Sequence, residues 1–289
     1  MRIALLHNAS AGSEDHTDAE LTRVLQKAGH EVAHVFSRLG DLTQALQQSP
    51  CELVVIAGGD GTVGKAACEL AGWQIPMSII PLGTANNTAM ALELTPRVKQ
   101  LAKSWHQAAR TPFDLGILND GPLRSRFSEA VGWGAFAETI VEAKRQAAAK
   151  SVHRTLRRDR KIFQRLAEQL PARRYTIEAD GQDYSGDYVL VEVMNIGLLG
   201  PRLRLSPQSV PGDGLFELLL VDGARRSVLR KVAEDGAAPA EPLPAIRANR
   251  VRIEASDALL HKDGRLLRHA PGPREFVIET EPGAIAYLR

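Results

Sequence analysis

The chain has 289 residues, 44% of them hydrophobic and 24% charged, the composition of a folded globular protein long enough for two domains. The 36 Lys+Arg against 34 Asp+Glu leave a net charge of +2, which excludes a chain built mainly to neutralise nucleic-acid phosphates. Two cysteines, Cys51 and Cys68, exclude a disulfide framework or a Cys-rich zinc site; each sits among apolar or small residues as a core filler. The opening run Ile3 to Leu6 is too short for a signal peptide, and no apolar run approaches the ~18 residues of a membrane span. A cytoplasmic location is expected.

In chain order, Ile3 to Leu6 reads as a buried strand and Asp18 to Ala28 as a helix closed by Gly29. Glu31 to Phe36 is a strand, Leu42 to Gln48 a short helix, and Leu53 to Ala57 a third strand. A helix from about Thr62 to Ala71 follows, then a strand at Met77 to Ile80 and helices near Ala85 to Glu93 and Arg97 to Ala109. Continuous apolar strands alternating with helices predict a parallel sheet covered on both faces. Ligands bind such sheets beyond the carboxyl ends of the strands, here the loops after Leu6, Phe36, Ala57 and Ile80. After Asp114 the pattern changes to strand-like runs at 175–178, 188–194, 215–221, 250–255 and 275–279. Asp-Gly turns punctuate them, at 180–181, 213–214, 222–223 and 263–264. One helical pattern, 136–170, interrupts this β-rich half, and Ala237 to Pro244 reads as a loop.

The sharpest feature is Gly58-Gly59-Asp60-Gly61-Thr62, at the end of the third strand. Its glycines let the backbone approach a bulky anion, and the helix N-terminus behind them offers N–H groups and a positive dipole end. Asp60 would repel a bare phosphate, so it points to Mg²⁺ between carboxylate and nucleotide phosphates. A bare strand–helix turn needs fewer glycines. Pro81-Leu82-Gly83-Thr84-Ala85-Asn86-Asn87 and Asn8-Ala9-Ser10-Ala11-Gly12 place small polar residues on the same rim, which predicts a nucleotide site. Two other motifs are decoys. Gly59 to Lys65 matches a P-loop, but Ala66 stands where Ser or Thr must ligate Mg²⁺; Gly132-Trp133-Gly134-Ala135-Phe136-Ala137 lacks the acidic residue a dinucleotide fingerprint needs.

GGDGT followed by PLGTANN resembles the diacylglycerol kinase/sphingosine kinase family of lipid kinases, whose bacterial members are similar in length. GGDGT alone is shared with NAD kinases and, in variant form, phosphofructokinases; PLGTANN narrows the match. The resemblance extends through Phe113-Asp114-Leu115-Gly116, Val131 to Gly134, and Asn195 to Leu215. It implies an α/β nucleotide-binding domain of NAD kinase/diacylglycerol kinase type over 1–120 and a mostly β, sandwich-like lipid domain over 121–275. Residues 276–289 would return to the first domain, and the active site would lie between the two. Gly58 to Thr62 would hold the ATP phosphates, Asp60 would place Mg²⁺, and Asn8, Ser10, Ser37, Gly83, Thr84 and Asn86 would line the nucleotide. Asp114 would be a catalytic carboxylate, and Asp213 would hold a structural Mg²⁺.

Departures from the family pattern matter. The family's Asp-Gly-Glu, whose glutamate helps activate the lipid hydroxyl, reads Asp263-Gly264-Arg265 here. A guanidinium cannot accept a proton, which leaves Asp263 or Asp114 as candidate bases. The activity implied is phosphoryl transfer to a lipid alcohol; the alternatives are a nucleotide- or lipid-binding protein without catalysis, and NAD kinase. Finally, Val141 to Arg174 carries 11 Lys+Arg against 3 Asp+Glu, a net +8, with Val152, Leu156, Phe163, Leu166 and Leu170 at helical spacing. This basic element is a solvated face packed through its apolar stripe, or a peripheral contact with an anionic membrane. The expected partner is a lipid substrate, not nucleic acid.

Overall fold

A computed structural model describes residues 1–11, 16–95, 97–121, 123–146, 151–238, 243–270 and 272–289. Gly12 of the first rim loop, residues 147–150 of the basic segment and 239–242 of the 237–244 loop lie outside this set. The chain forms two compact units, Met1–Phe113 with Gly283–Arg289, and Asp114–Pro282.

In the first unit the elements are β1 (Arg2–His7), α1 (Asp18–Lys27), β2 (Glu31–Phe36), α2 (Leu39–Gln48), β3 (Leu53–Gly58), α3 (Asp60–Glu69), β4 (Met77–Pro81), α4 (Asn87–Ala91) and α5 (Val98–Ser104). The strands pair in parallel in the order β2-β1-β3-β4, and Tyr287 pairs with Met77 beyond β4. Every residue of β3 is buried, as a central strand covered on both faces requires. Helix α1 opens on a capping box between Thr17 and Glu20 and turns Leu21 and Leu25 onto the sheet. Helix α3 starts two residues earlier than its apolar pattern predicts, because extended Gly59 serves as its N-cap. Helices α4 and α5 are shorter than expected: left-handed Asn86 (φ 55°) and Glu93 (φ 57°) bound the first, and the chain is extended again from Arg110.

β5 (Arg110–Asp120) leads into the second unit, whose first elements are β6 (Leu123–Phe127), β7 (Ala130–Gly134), α6 (Ala135–Arg145), α7 (Val152–Gln169), β8 (Arg173–Ala179), β9 (Gln182–Asp183) and β10 (Gly186–Tyr188). Then come β11 (Leu190–Met194), β12 (Leu198–Leu199), β13 (Leu203–Arg204), β14 (Phe216–Val221), α8 (Arg226–Asp235), β15 (Ala245–Ala248), β16 (Arg250–Ala255), β17 (Leu259–Lys262), β18 (Arg265–Arg268) and β19 (Arg274–Leu288). One antiparallel layer runs β10-β8-β16-β19 and the other β15-β14-β11-β7-β17-β18. Ile177, Ile253 and Phe276 of the first layer meet Trp133, Val191 and Phe216 of the second in a shared core, the packing of a β-sandwich. Trp133 sets its ring edge-on to Phe276 at 5.1 Å between centroids.

The outer face of the second layer is covered by helices, through Phe136 of α6, Phe163 and Ala167 of α7, and Leu229 and Val232 of α8. The expected single helical segment 136–170 is therefore two helices, α6 and α7. Buried Leu156, Ile162, Phe163 and Ala167 form α7's inner stripe, while Arg154, Arg157, Lys161 and Arg165 are exposed. Within the same covered face Glu192 Oε2 and His261 Nε2 lie 2.8 Å apart, both side chains fully buried. Gly132 stands opposite both, and a Cβ there would strike the Glu192 carboxylate. That accounts for a glycine of the false dinucleotide motif.

Candidate functional site

Because β3 lies between β1 and β4, parallel pairing sets the loops after the three strands side by side on one rim. The backbone ties them together: Asn8 N–H donates to Ala57 O (2.9 Å) and Leu82 N–H to Gly58 O (3.0 Å). Asn8 Nδ2 donates to Thr62 Oγ1 at 2.8 Å, and Asn8 Oδ1 accepts the Ser10 hydroxyl at 2.8 Å. Left-handed Asn86 closes the third loop, accepting from Gly83 N–H at 2.8 Å and donating to its carbonyl at 2.9 Å. Thr84 sits within that loop. Asp60, the first residue of α3, accepts the Thr88 N–H at 3.2 Å and so joins the second loop to α4. Ser37 follows β2 as an exposed residue and forms no side-chain hydrogen bond with this network.

The glycines of the rim have different reasons to be glycine. A Cβ on Gly59 would lie 3.0 Å from Gly83 Cα, and one on Gly83 would collide with Gly59 Cα, so these two loops pack backbone to backbone. A Cβ on Gly58 would press on Thr62 at 3.0 Å. Gly61 is the exception. Among the described residues, nothing outside its own helix turn lies within 4 Å of where its Cβ would be, and its φ is not in the left-handed region. Neither packing nor backbone geometry requires a glycine there, whereas a phosphate drawn close to the α3 N-terminus would. The N-cap of α3 is Gly59, which has no side chain to cap the helix.

Asp60 is the one carboxylate among the expected rim residues, and among the described residues no three His, Cys, Asp or Glu side chains group to hold a metal ion. This fits Mg²⁺ carried by nucleotide phosphates and water with a single protein carboxylate, and does not fit an ion caged by protein alone. The P-loop decoy is disposed of as well: Ala66 is fully buried and Lys65 is exposed.

The other expected carboxylates belong to the second unit. Asp114 is fully buried, and its Oδ2 accepts the Gly214 N–H at 2.7 Å, so it braces the 213–215 turn. Asp263 takes φ 47° in the β17–β18 turn, and its carboxylate accepts the N–H groups of Ser128, Glu129 and Ala130 at 2.8–3.3 Å. Burial pushes the Asp263 carboxyl up, and the three backbone donors oppose the rise. Both carboxylates, expected from sequence to be catalytic, accept backbone N–H groups of the second unit. Exposed Arg265 starts β18, paired with Lys262. Asp213 is paired with Arg247, a residue that no local motif marks, so the expected Mg²⁺ at Asp213 does not fit the residues present.

Two family models match. Residues 2–118 match the diacylglycerol kinase catalytic domain, and residues 131–289 match the YegS C-terminal NAD kinase beta sandwich-like domain. The chain belongs to the family whose C-terminal domain is of the YegS type, here preceded by a match to the diacylglycerol kinase catalytic domain. Among its relatives is a diacylglycerol kinase of Bacillus subtilis, 28% identical over 96% of this chain and 93% of that one. Another, named "Probable lipid kinase YegS-like", from Pectobacterium atrosepticum, is 27% identical over 98% and 94%. The fold matches a diacylglycerol kinase structure from Bacillus anthracis at TM-score 0.69, with 22% identity over 99% and 96% of the two chains. Yeast NADH kinase complexed with NADH shares it more distantly, at TM-score 0.55 and 11% identity over 99% and 82%. No helix among the described residues is long and apolar enough to cross a membrane.

Proposed function

We propose that the chain uses ATP and Mg²⁺ to phosphorylate the hydroxyl of a lipid alcohol of the diacylglycerol type. The space that the described residues leave at Gly61, at a helix N-terminus whose N-cap is a glycine and beside Asp60, is the observation that carries this reading. When bound with the nucleotide, Mg²⁺ would neutralise phosphate charge. Asp60 would hold that ion's position, while the backbone of 58–62 receives the phosphates and Asn8, Ser10, Thr62 and Thr84 line the nucleotide. No side chain is assigned as base, because Asp114 and Asp263 are engaged by backbone donors. Phosphoryl transfer through a loose transition state depends chiefly on positioning and charge neutralisation. The family relationship, not the rim geometry, supports the lipid acceptor.

The test is Asp60→Ala, assayed for transfer from ATP to diacylglycerol in mixed micelles. Activity per folded molecule is expected to fall by at least ~100-fold, beyond any loss of stability from the lost Thr88 N–H bond; full activity would refute the site. A second reading, binding without catalysis, is favoured by Arg265 and by the engaged Asp263. It predicts ATP binding by the unmodified chain with no transfer to any lipid alcohol.

We further propose that the α6–α7 surface meets anionic membrane. A groove of about 610 Å³ there is lined by Arg154, Arg157, Arg158, Lys161 and Arg165 together with Glu142; Arg165 pairs with Glu142 and Arg158 with Asp159, which leaves Arg154, Arg157 and Lys161 as its main positive charge. Each cation near an anionic surface contributes about 1 kcal/mol. Arg154→Glu with Arg157→Glu should cut binding to phosphatidylglycerol vesicles at least ~10-fold, and unchanged vesicle sedimentation would remove the proposal.

A further inference from the structure

The turn after Val210 brings two carboxylates toward one another in the second unit. Glu217 on β14 stands directly opposite Arg247 on β15 in the antiparallel register. The Arg247 guanidinium reaches both acids: Nη2 pairs with Asp213 Oδ2, and Nε lies 3.6 Å from Glu217 Oε1. The other Asp213 oxygen accepts the Leu215 N–H at 3.1 Å. These three side chains, with Ser206 and Leu243, line a cavity of about 270 Å³. The Glu217 side chain is only 8% exposed. Burial pushes its carboxyl up, Arg247 pulls it down, and Asp213 pushes it up again.

Two acids sharing so small a space need a cation between them. Oxygen ligands of this kind suit a hard divalent ion, and a divalent ion at Asp213 is what the family resemblance implies. Here the facing oxygens are taken by a guanidinium, whose fixed fork serves two carboxylates at once. We infer that Arg247 is the cation of this turn, supplied by the chain itself, and that residues 213–215 need no divalent ion. The consequence reaches further than the pair. Gly214, in the same turn, donates to fully buried Asp114 at 2.7 Å, so Arg247 is a positioning residue for that brace. Divalent-ion depletion leaves the brace intact.

The experiment is thermal unfolding of the full chain without nucleotide, after EDTA treatment and after addition of millimolar Mg²⁺ at matched ionic strength. The unmodified chain is expected to melt at one temperature in both. Arg247→Met should melt lower and recover by about 3 °C with Mg²⁺, which now bridges the two acids left without their guanidinium. Arg247→Lys, which keeps a tethered charge, should stay indifferent to Mg²⁺, and Asp213→Asn combined with Arg247→Met should lose the recovery. An Arg247→Met chain that ignores Mg²⁺ would overturn the inference. So would a Mg²⁺-induced rise in the unmodified chain that Asp213→Asn abolishes, and this comparison decides the matter even if Arg247→Met does not fold. None of these readings involves phosphoryl transfer, so the outcome is independent of the proposed activity.

Discussion

Asp-Gly pairs occur in both units and behave differently in each. In the first unit Asp60-Gly61 opens a helix behind an N-cap glycine, and among the described residues nothing outside that helix turn crowds the Gly61 Cβ position. In the second, Asp213-Gly214 and Asp263-Gly264 are turns: Gly214, Asp263 and Gly264 have φ of 82°, 47° and 68°, and each carboxylate is engaged by backbone N–H groups or an arginine. The same dipeptide thus opens a helix in one place and reverses the chain in the other. What separates them is the partner each carboxylate finds, which the dipeptide does not encode.

The largest effect that can sharpen this contrast is expected at Gly83. Gly83→Ala drives a methyl into the Gly59 backbone and should destabilise the first unit by about 1–3 kcal/mol in urea titration. Gly61→Ala, whose methyl meets none of the described residues outside its own helix turn, should leave urea stability within about 0.5 kcal/mol while weakening ATP binding roughly 10-fold by isothermal titration. Should Gly61→Ala bind ATP normally, the open side of the rim is not where phosphate approaches. Next comes Asp263→Ala, which strips three backbone donors of their acceptor and should cost about 1–3 kcal/mol of stability. Any activity lost should follow the folded fraction; a far larger loss of turnover in folded protein would return Asp263 to a catalytic role.

The smallest effect concerns the Glu192–His261 pair. Burial raises the Glu192 carboxyl above its ordinary value, and His261 pulls it back. With the folded value raised, the folded state holds the proton longer than the unfolded chain. Its contribution to stability is therefore present below the unfolded value of about 4.3 and is lost as pH rises through the folded one. Glu192→Gln keeps an acceptor for His261 and should flatten that slope in pH-dependent urea titrations. An unchanged slope would mean that Glu192 ionises as readily in the fold as in water.

The first unit was the more legible from sequence. Runs such as Leu53 to Ala57 declare a central strand, and GGDGT and PLGTANN are contiguous, so the rim could be read locally. The strands β5, β6, β17 and β18 could not. β5 contains Pro112 and Gly116, most of β6 is exposed, and β17 carries a buried histidine. Glu192 sits as a charge inside the otherwise apolar β11 because its partner comes from β17, 69 residues away in the chain. Arg247 and Asp213 are 34 residues apart, and Asp263 finds its donors 133–135 residues earlier. Such pairings are properties of strand register and leave no spacing to detect. The roles assigned to Asp114, Asp213 and Asp263 came from motif position, which places a residue without naming its neighbour.

Tyr287 pairs with Met77 and sets its ring edge-on to Phe113, and Arg289 exchanges backbone hydrogen bonds with Ala109. The whole second unit lies between these partners in the order of translation. A growing polypeptide therefore exposes β4 with one edge bare until more than 160 further residues have left the ribosome. The first unit begins earliest and is completed last, which makes its unfinished edge the place where nascent chains of this fold are most exposed to wrong pairing.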